Sequence, residues 1–196
     1  MTTSLDAINE YLTRLTDTID RLDRSQVDNV VRLFRQACDA GRTVFTMGNG
    51  GSGSTASHIV CDLNKGASFD ARREPRFKLI CLNDNIATTL AYGNDVGYDA
   101  IFVEPLKNFM AQGDLVVGIS GSGNSPNVLR AFEWANDHGG VTLGMTGYAG
   151  GKLGQIAQHH LNIPIDDMQI AEDLHLVMGH ILLRVFCDEA AAVATE

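Results

Sequence analysis

The sequence predicts an α/β fold of the doubly wound class, in which helices cover both faces of one parallel sheet and a helix pair precedes it. Short apolar runs bounded by glycine or serine alternate with helical patterns after residue 41. Helical periodicity alone fills the first 40 residues. A chain of 196 residues that is 44% hydrophobic can bury one core and is short for two.

The first 40 residues form two predicted helices. Apolar residues recur at helical spacing from Leu5 to Ile19, and a second set runs from Val27 to Cys38 before Gly41. Residues 41–196 then form the α/β core, which no repeat, low-complexity tract or linker divides. We therefore expect a single domain over residues 1–196.

Five apolar runs are the predicted strands, and each precedes a candidate helix. They are "TVFTM" (43–47), "FKLICL" (77–82), "LVVGIS" (115–120), "VTLGMT" (141–146) and "LNIPI" (161–165). Ser125 followed by Pro126 is typical of a helix start. The last helix is expected from about Ile170 to Glu189.

Composition limits the classes of partner. A net charge of -9 and a pI near 5.0 argue against nucleic acid or an anionic membrane surface, since both require a basic face. No apolar run approaches a membrane span, and the acidic, amphipathic N-terminus is unlike a signal peptide, so we expect a cytoplasmic protein. The four cysteines form no C-x-x-C pair, and we expect buried, reduced thiols at Cys38, Cys61, Cys81 and Cys187.

Glycines 48, 50 and 53 have the G-x-G-x-x-G spacing of a dinucleotide-binding turn. That reading requires an acidic residue about 20 residues further on, at the end of the next strand. Here the next strand ends near Asp84, over thirty residues after Gly50. The spacing therefore excludes the dinucleotide reading, and we expect no nucleotide cofactor.

A second turn, "SGSGNS" from Ser120 to Ser125, follows a later strand and precedes a helix. Hydroxyls, unpaired N–H groups and the positive end of a helix dipole suit a phosphate. Two such turns favour a ligand with one phosphate and several hydroxyls, such as a sugar phosphate. The simpler alternative is that both are ordinary tight turns.

The segments "GNGGS", "GISGSGNS" and "AEDLHLVMGH" resemble the sugar isomerase (SIS) domain family, and within it the phosphoheptose isomerase branch. The resemblance covers nearly the whole chain, including the N-terminal helices. It implies a single SIS domain, a homotetramer in which residues 1–40 help to form the oligomer, and active sites between subunits.

The implied activity is an aldose–ketose isomerisation, from sedoheptulose 7-phosphate to D-glycero-D-manno-heptose 7-phosphate by an enediol mechanism. Two alternatives stay open: a non-catalytic SIS-domain binding or regulatory protein, and an isomerase of another ketose phosphate. Asn85 stands where this branch commonly has aspartate, and Gly121 where it has threonine, and either change could alter the preferred sugar.

The resemblance also assigns the substrate contacts. It places the phosphate at Ser120, Gly121, Ser122 and Ser125. It places the sugar at Asn49, Gly50, Ser52, Asn83, Asp84, Asn85 and Glu172.

His58 and Asp62 lie four residues apart on one predicted helix and therefore share a face. The resemblance implies Asp62 as base and His180 as acid. Because this branch usually has the longer glutamate at position 62, Glu172 is a second candidate base.

The same resemblance implies one zinc ion per subunit, bound by His58, Asp62, Glu172 and His180. Glu172 and His180 are eight residues apart, roughly 12 Å along a helix, so they meet one ion only by reaching towards each other or across a subunit interface. A polar cluster without metal is the alternative.

Five other residues have simpler interpretations. His159 and His160 are expected to be exposed at a strand start, and His175 to be structural or interfacial. Lys65 either contacts a phosphate or is a solvated surface residue. Trp134 is expected to pack.

Overall fold

The structure, a computed structural model, describes residues 3–193. Five parallel strands form one sheet in the order β2-β1-β3-β4-β5. Their bounds are Thr43–Gly48 (β1), Lys78–Cys81 (β2), Leu115–Ser120 (β3), Val141–Thr146 (β4) and His159–Asn162 (β5). This order confirms the doubly wound fold.

Helices precede the sheet and connect its strands. They are α1 (Ser4–Asp20), α2 (Arg24–Asp39), α3 (Gly50–Cys61), α4 (Ile86–Asp95), α5 (Val103–Phe109), α6 (Pro126–Asp137), α7 (Leu153–Ile156) and α8 (Met168–Val193). A π-helical segment, Asp62–Asp70, continues α3 without a break, and a short 3₁₀ helix spans Tyr98–Ala100. Within residues 3–193, no helix combines the length and apolar composition needed to cross a membrane.

The sheet has a hydrophobic core on each face. Val44 and Val117 belong to the core built with α2, α3, the π-helical segment and α8. Phe45 and Val116 belong to the opposite core, built with α5 and α6. This alternation follows from the two-residue side-chain period of a strand, and it places α3 and α6 on opposite faces.

The two N-terminal helices differ in burial. α2 packs into the core, with Val30 and Phe34 fully buried. α1 begins with a capping box between Thr3 and Asp6 and leaves much of its apolar stripe in solvent. The exposed residues of this stripe are Leu5, Ile8, Leu12 and Ile19.

α1 is attached to the beginning of α8. The Tyr11 hydroxyl donates to the Asp173 carboxylate over 2.6 Å. Arg14 forms an ion pair with Asp167 at 2.7 Å. The N-terminal helix therefore fixes the segment from which α8 starts.

The fifth strand begins earlier than predicted. It spans His159–Asn162 and pairs with β4, whereas the prediction was 161–165. Pro164, which has no N–H to donate, lies beyond it. The expectation that His159 and His160 are exposed is wrong, because both lie within β5 and are half-buried.

The cysteine prediction is correct for two residues. Cys38 and Cys81 are buried free thiols, and burial raises the pKa of Cys81 to about 11. Cys61 is exposed and Cys187 is half-buried, so the expectation of burial is wrong for these two.

Candidate active site

The two predicted turns lie side by side at the carboxyl edge of the sheet. β1 ends at Gly48 and leads into α3, while the neighbouring β3 ends at Ser120 and leads through residues 121–125 into α6. Because α3 and α6 lie on opposite faces, the chain diverges here and opens a crevice. Open α/β sheets bind their ligands at such a point.

The first turn is held by two asparagines. The Asn83 amide donates to the Gly48 carbonyl at 2.7 Å and accepts from the Gly48 N–H at 3.3 Å. The Asn49 side chain is hydrogen-bonded to Asn127 and Tyr98. Gly50 has a φ of +53°, a backbone conformation that glycine adopts without strain. The backbone entering α3 is thus fixed from several sides.

An open pocket of about 560 Å³ lies along α3. It is lined by Gly50, Gly53, Ser54, Ser57, His58, Cys61, Asn83 and Asp84. Four of these residues were predicted as site residues: Gly50, His58, Asn83 and Asp84. Of the other predicted sugar contacts, Ser52 is buried, and the Asn85 side chain accepts from the Thr88 N–H to cap α4.

Sequence reasoning missed three side chains of this pocket. Ser54, Ser57 and Cys61 line it together with Gly50 and His58. Their spacing of three or four residues is the signal that could have found them, because such residues share one helix face.

The second turn is closed by its own serines. The Ser120 and Ser125 hydroxyls are 3.0 Å apart and hydrogen-bonded to each other. The Ser122 hydroxyl accepts from the Asn124 N–H at 3.2 Å. A hydroxyl that accepts one hydrogen bond can still donate its own proton, so Ser122 remains able to donate to an anion.

The neighbouring loop supports this turn. The N–H groups of Gly147 and Leu153 donate to the carbonyls of Gly121 and Gly123, each at 2.8 Å. A Cβ atom on Gly121 would overlap the thioether of Met168 at the start of α8. Glycine at position 121 therefore lets α8 begin directly against the turn.

His58, Asp62 and His180 form one cluster. Their ligand-type atoms all lie within 4.8 Å of one another. His58 Nε2 is 3.3 Å from Asp62 Oδ2 and 3.2 Å from His180 Nε2. Asp62 Oδ2 is buried and has no hydrogen-bond partner with acceptable angles within residues 3–193.

Close packing between two helices brings this cluster together. A Cβ on Gly179 would be 2.9 Å from Ile59 Cγ1, and a Cβ on Gly66 would be 2.7 Å from Leu183 Cδ1. The two glycines therefore let α8 approach α3 and the π-helical segment. That segment starts at Asp62, and π-helical geometry frequently accompanies functional sites.

Glu172 lies apart from the cluster. A Cβ on Gly51 would be 2.5 Å from Glu172 Oε2, which places this carboxylate beside the first turn of α3. His180 follows Glu172 by eight residues, roughly 12 Å along the helix. In their present positions, the two side chains therefore do not bind the same ion within one chain. The structure thus groups three of the four predicted metal ligands and places Glu172 beside the first turn of α3.

Three other residues considered in the sequence analysis, His175, Lys65 and Trp134, make structural contacts. His175 is fully buried and bonded to the Thr146 carbonyl at 3.1 Å, and burial lowers its pKa to about 4. Lys65 pairs with Asp70 at 2.6 Å on the surface. Trp134 stacks on His138 with ring centroids 4.2 Å apart.

The cluster suits a divalent metal. Two imidazole nitrogens and one carboxylate are donors that zinc accepts, and the buried Asp62 oxygen, which accepts no hydrogen bond among the described residues, is available to a cation. The donor set therefore fits a metal ion, and Glu172 is not part of it.

The fold and the crevice define an SIS-domain protein. The sequence model of the SIS domain matches residues 7–147, and the chain belongs to this family. This match begins within α1, so it includes most of the N-terminal helix pair.

Within that family the relatives are phosphoheptose isomerases. Proteins of that name are 35% identical over 160 residues in Aquifex aeolicus, covering 82% of each chain, and 36% identical over 156 residues in Citrifermentans bemidjiense, covering 80% of each. A phosphoheptose isomerase structure from Francisella tularensis superposes with a TM-score of 0.86 at 28% identity, over 95% of this chain and 99% of that one. The resemblance found in the sequence is confirmed.

Proposed function

We propose that this protein isomerises sedoheptulose 7-phosphate to D-glycero-D-manno-heptose 7-phosphate. The observation that carries the proposal is the placement of acid–base groups along one helix: Glu172 beside the first turn of α3, and His58, Asp62 and His180 at its far end. The pocket runs along α3 from Gly50 to Cys61 and includes His58. The relatives named phosphoheptose isomerase support the same substrate class.

The reaction requires one base and one acid. The base takes a proton from C1 of the ketose while the acid protonates the C2 oxygen, which gives an enediol. The O1 proton then leaves as C2 receives a proton, which gives the aldose. We assign the acid role to His180, an exposed imidazole in the middle of α8, whose Nε2 is 3.2 Å from Nε2 of the pocket residue His58.

Glu172 is the favoured base. Its carboxylate has no hydrogen bond or ion pair within the described part of the chain, whereas Asp62 lies between two histidines. An unengaged carboxylate is free to accept a proton from carbon. Comparing Glu172→Gln with Asp62→Asn by solvent-deuterium exchange at the substrate carbon separates them, because the base variant loses exchange.

A zinc ion at His58, Asp62 and His180, one per subunit, completes the proposal. When bound there, zinc would polarise the substrate carbonyl, and His180, held through one ring nitrogen, would donate its proton from the other. The protein's part is to orient the three donors, with Asp62 Oδ2 already desolvated. Glu172 would join this set only from another subunit.

The second turn, Ser120–Ser125, is assigned to the phosphate, because its hydroxyls and the N-terminus of α6 provide donors. A homotetramer is proposed because the apolar stripe of α1 and residues Ile86 and Leu90 of α4 are exposed. A single domain acting in the cytoplasm is consistent with a metabolic enzyme whose thiols are free.

A panel of ketose phosphates tests the function. The purified protein is incubated with heptulose, hexulose and pentulose phosphates, and aldose formation is followed by NMR. Preferred turnover of sedoheptulose 7-phosphate supports the proposal. Preference for another ketose phosphate would assign the protein to that sugar, and binding without turnover would make it a non-catalytic SIS-domain protein.

A further inference from the structure

α3 and α6, the two helices that begin at the crevice, have no side-chain hydrogen bond at the N-cap, although their N-cap residues are of types that usually form one. Asparagine and serine are among the preferred N-cap residues, since their side-chain oxygens accept from the first free N–H groups of a helix. Asn49 is the N-cap of α3 and Ser125 that of α6, yet neither side chain makes a capping hydrogen bond. Ser125 is bonded to Ser120 instead.

Asn49 is held away from capping by a reciprocal amide pair. Asn49 Nδ2 donates to Asn127 Oδ1 at 2.9 Å, and Asn127 Nδ2 donates to Asn49 Oδ1 at 2.8 Å. The Tyr98 hydroxyl donates to the same Asn49 oxygen at 2.8 Å. An amide oxygen accepts two hydrogen bonds, so the capping oxygen of Asn49 is fully used.

Asn127 is suited to control this arrangement. Its side chain is 1% exposed, and its oxygen also accepts from the Val128 N–H at 3.0 Å. It is the second residue of α6, so the amide pair links the N-terminus of α6 to that of α3.

We propose that Asn127 is a positioning residue for the substrate site. By binding both polar groups of the Asn49 side chain, it keeps the first N–H groups of α3 free for the substrate. It also fixes the distance between the two turns that hold opposite ends of the sugar phosphate. The readout by kinetics rests on the proposed isomerase function.

Asn127→Asp provides a selective test. The carboxylate has the shape of the amide but cannot donate to Asn49 Oδ1, while the protonated acid can. Because the Asn49 amide and the Val128 N–H both donate to this side chain at the start of α6, the carboxylate stays ionised and the donor to Asn49 Oδ1 stays absent.

At pH 8 we expect Asn127→Asp to raise KM for sedoheptulose 7-phosphate at least tenfold, with kcat changed less than threefold. Asn127→Leu, which removes both polar groups of the side chain, should raise KM by a similar factor. Tyr98→Phe, a change at a residue that is 61% exposed, should raise KM about two- to fivefold.

Hydrogen exchange measured by mass spectrometry gives a second readout that needs no substrate. Asn127→Asp at pH 8 should speed exchange in residues 47–57 and 120–130 and leave β4 unchanged. If the wild-type protein does not turn over the sugar, the hydrogen-exchange measurement still tests the positioning role of Asn127. Unchanged exchange in these two segments, or wild-type KM in both Asn127 variants and Tyr98→Phe, overturns the proposal.

Discussion

Replacing Gly51 with alanine tests where the Glu172 carboxylate acts. The new Cβ would lie 2.5 Å from Oε2, 2.7 Å from Cδ and 2.8 Å from Oε1 of Glu172. Ordinary contact begins near 3.4 Å, so the carboxylate must retreat by roughly 0.9 Å. The backbone of Gly51 does not have a positive φ, and alanine is accommodated without backbone strain.

A displacement of this size in a catalytic group lowers turnover about 100-fold, or about 2.7 kcal/mol. Stability should not fall, because alanine is favoured over glycine in a helix by up to about 1 kcal/mol. The assay is kcat for the ketose phosphate together with the unfolding midpoint. Turnover is expected to drop while the midpoint stays constant or rises.

Gly93→Ala is the matched control. Gly93 lies within α4, and a Cβ there would be 3.8 Å from Ile101 Cγ2, an ordinary contact. It should raise stability by a similar amount and leave kcat unchanged. If Gly51→Ala keeps kcat within threefold of wild type, Glu172 is not the base.

Four further predictions concern the phosphate, the proton donor, the metal and pH. Changing the three serines of the second turn to alanine should raise KM at least tenfold, a loss of about 1.4 kcal/mol, and an unchanged KM would move the phosphate elsewhere. His180→Gln should lower kcat about 100-fold by removing the proton donor. Protein purified without chelator should contain about one zinc per subunit and lose it in His58→Ala; less than about a tenth of an equivalent of divalent metal in wild type, with activity that survives chelation, would contradict the metal site. His175 has a pKa of about 4 when folded, against about 6.5 for an ordinary histidine, so the unfolded chain binds its proton first as the pH falls. Its contribution to stability is complete above pH 6.5, declines towards pH 4 and amounts to about 3 kcal/mol at most. Urea unfolding at pH 7 and pH 5 should therefore show a smaller pH effect in His175→Gln than in wild type, and equal effects would refute this.

The central part of the sheet was predictable from sequence because its signals were local. β1, β3 and β4 are continuous apolar runs that end at glycine, serine or threonine, as buried parallel strands do. The predicted position of β5 was too late in the sequence, because Leu161 and Ile163 are typical strand residues whereas pairing with β4 begins at His159. Strand pairing is a tertiary property that one short segment does not reveal.

The site was less predictable because it depends on contacts between helices. His58 and Asp62 follow the four-residue rule, but the approach of His180 depends on Gly179 fitting against Ile59. The resemblance placed Glu172 with the metal ligands, and its position beside Gly51 required the packing of α8 on α3. Asn127 was missed because an asparagine after Ser-Pro at a helix start looks like an ordinary solvated residue.

The absence of side-chain N-cap hydrogen bonds at α3 and α6 affects how this protein responds to selection. An N-cap contributes about 0.5–2 kcal/mol to stability, and the free protein forgoes this contribution at α3 and α6. An apolar substitution at Asn127, which leaves no buried amide without its partner, would release Asn49 to cap α3. Such a variant would exchange affinity for the substrate for a capped helix, a trade-off between stability and activity located at one residue pair.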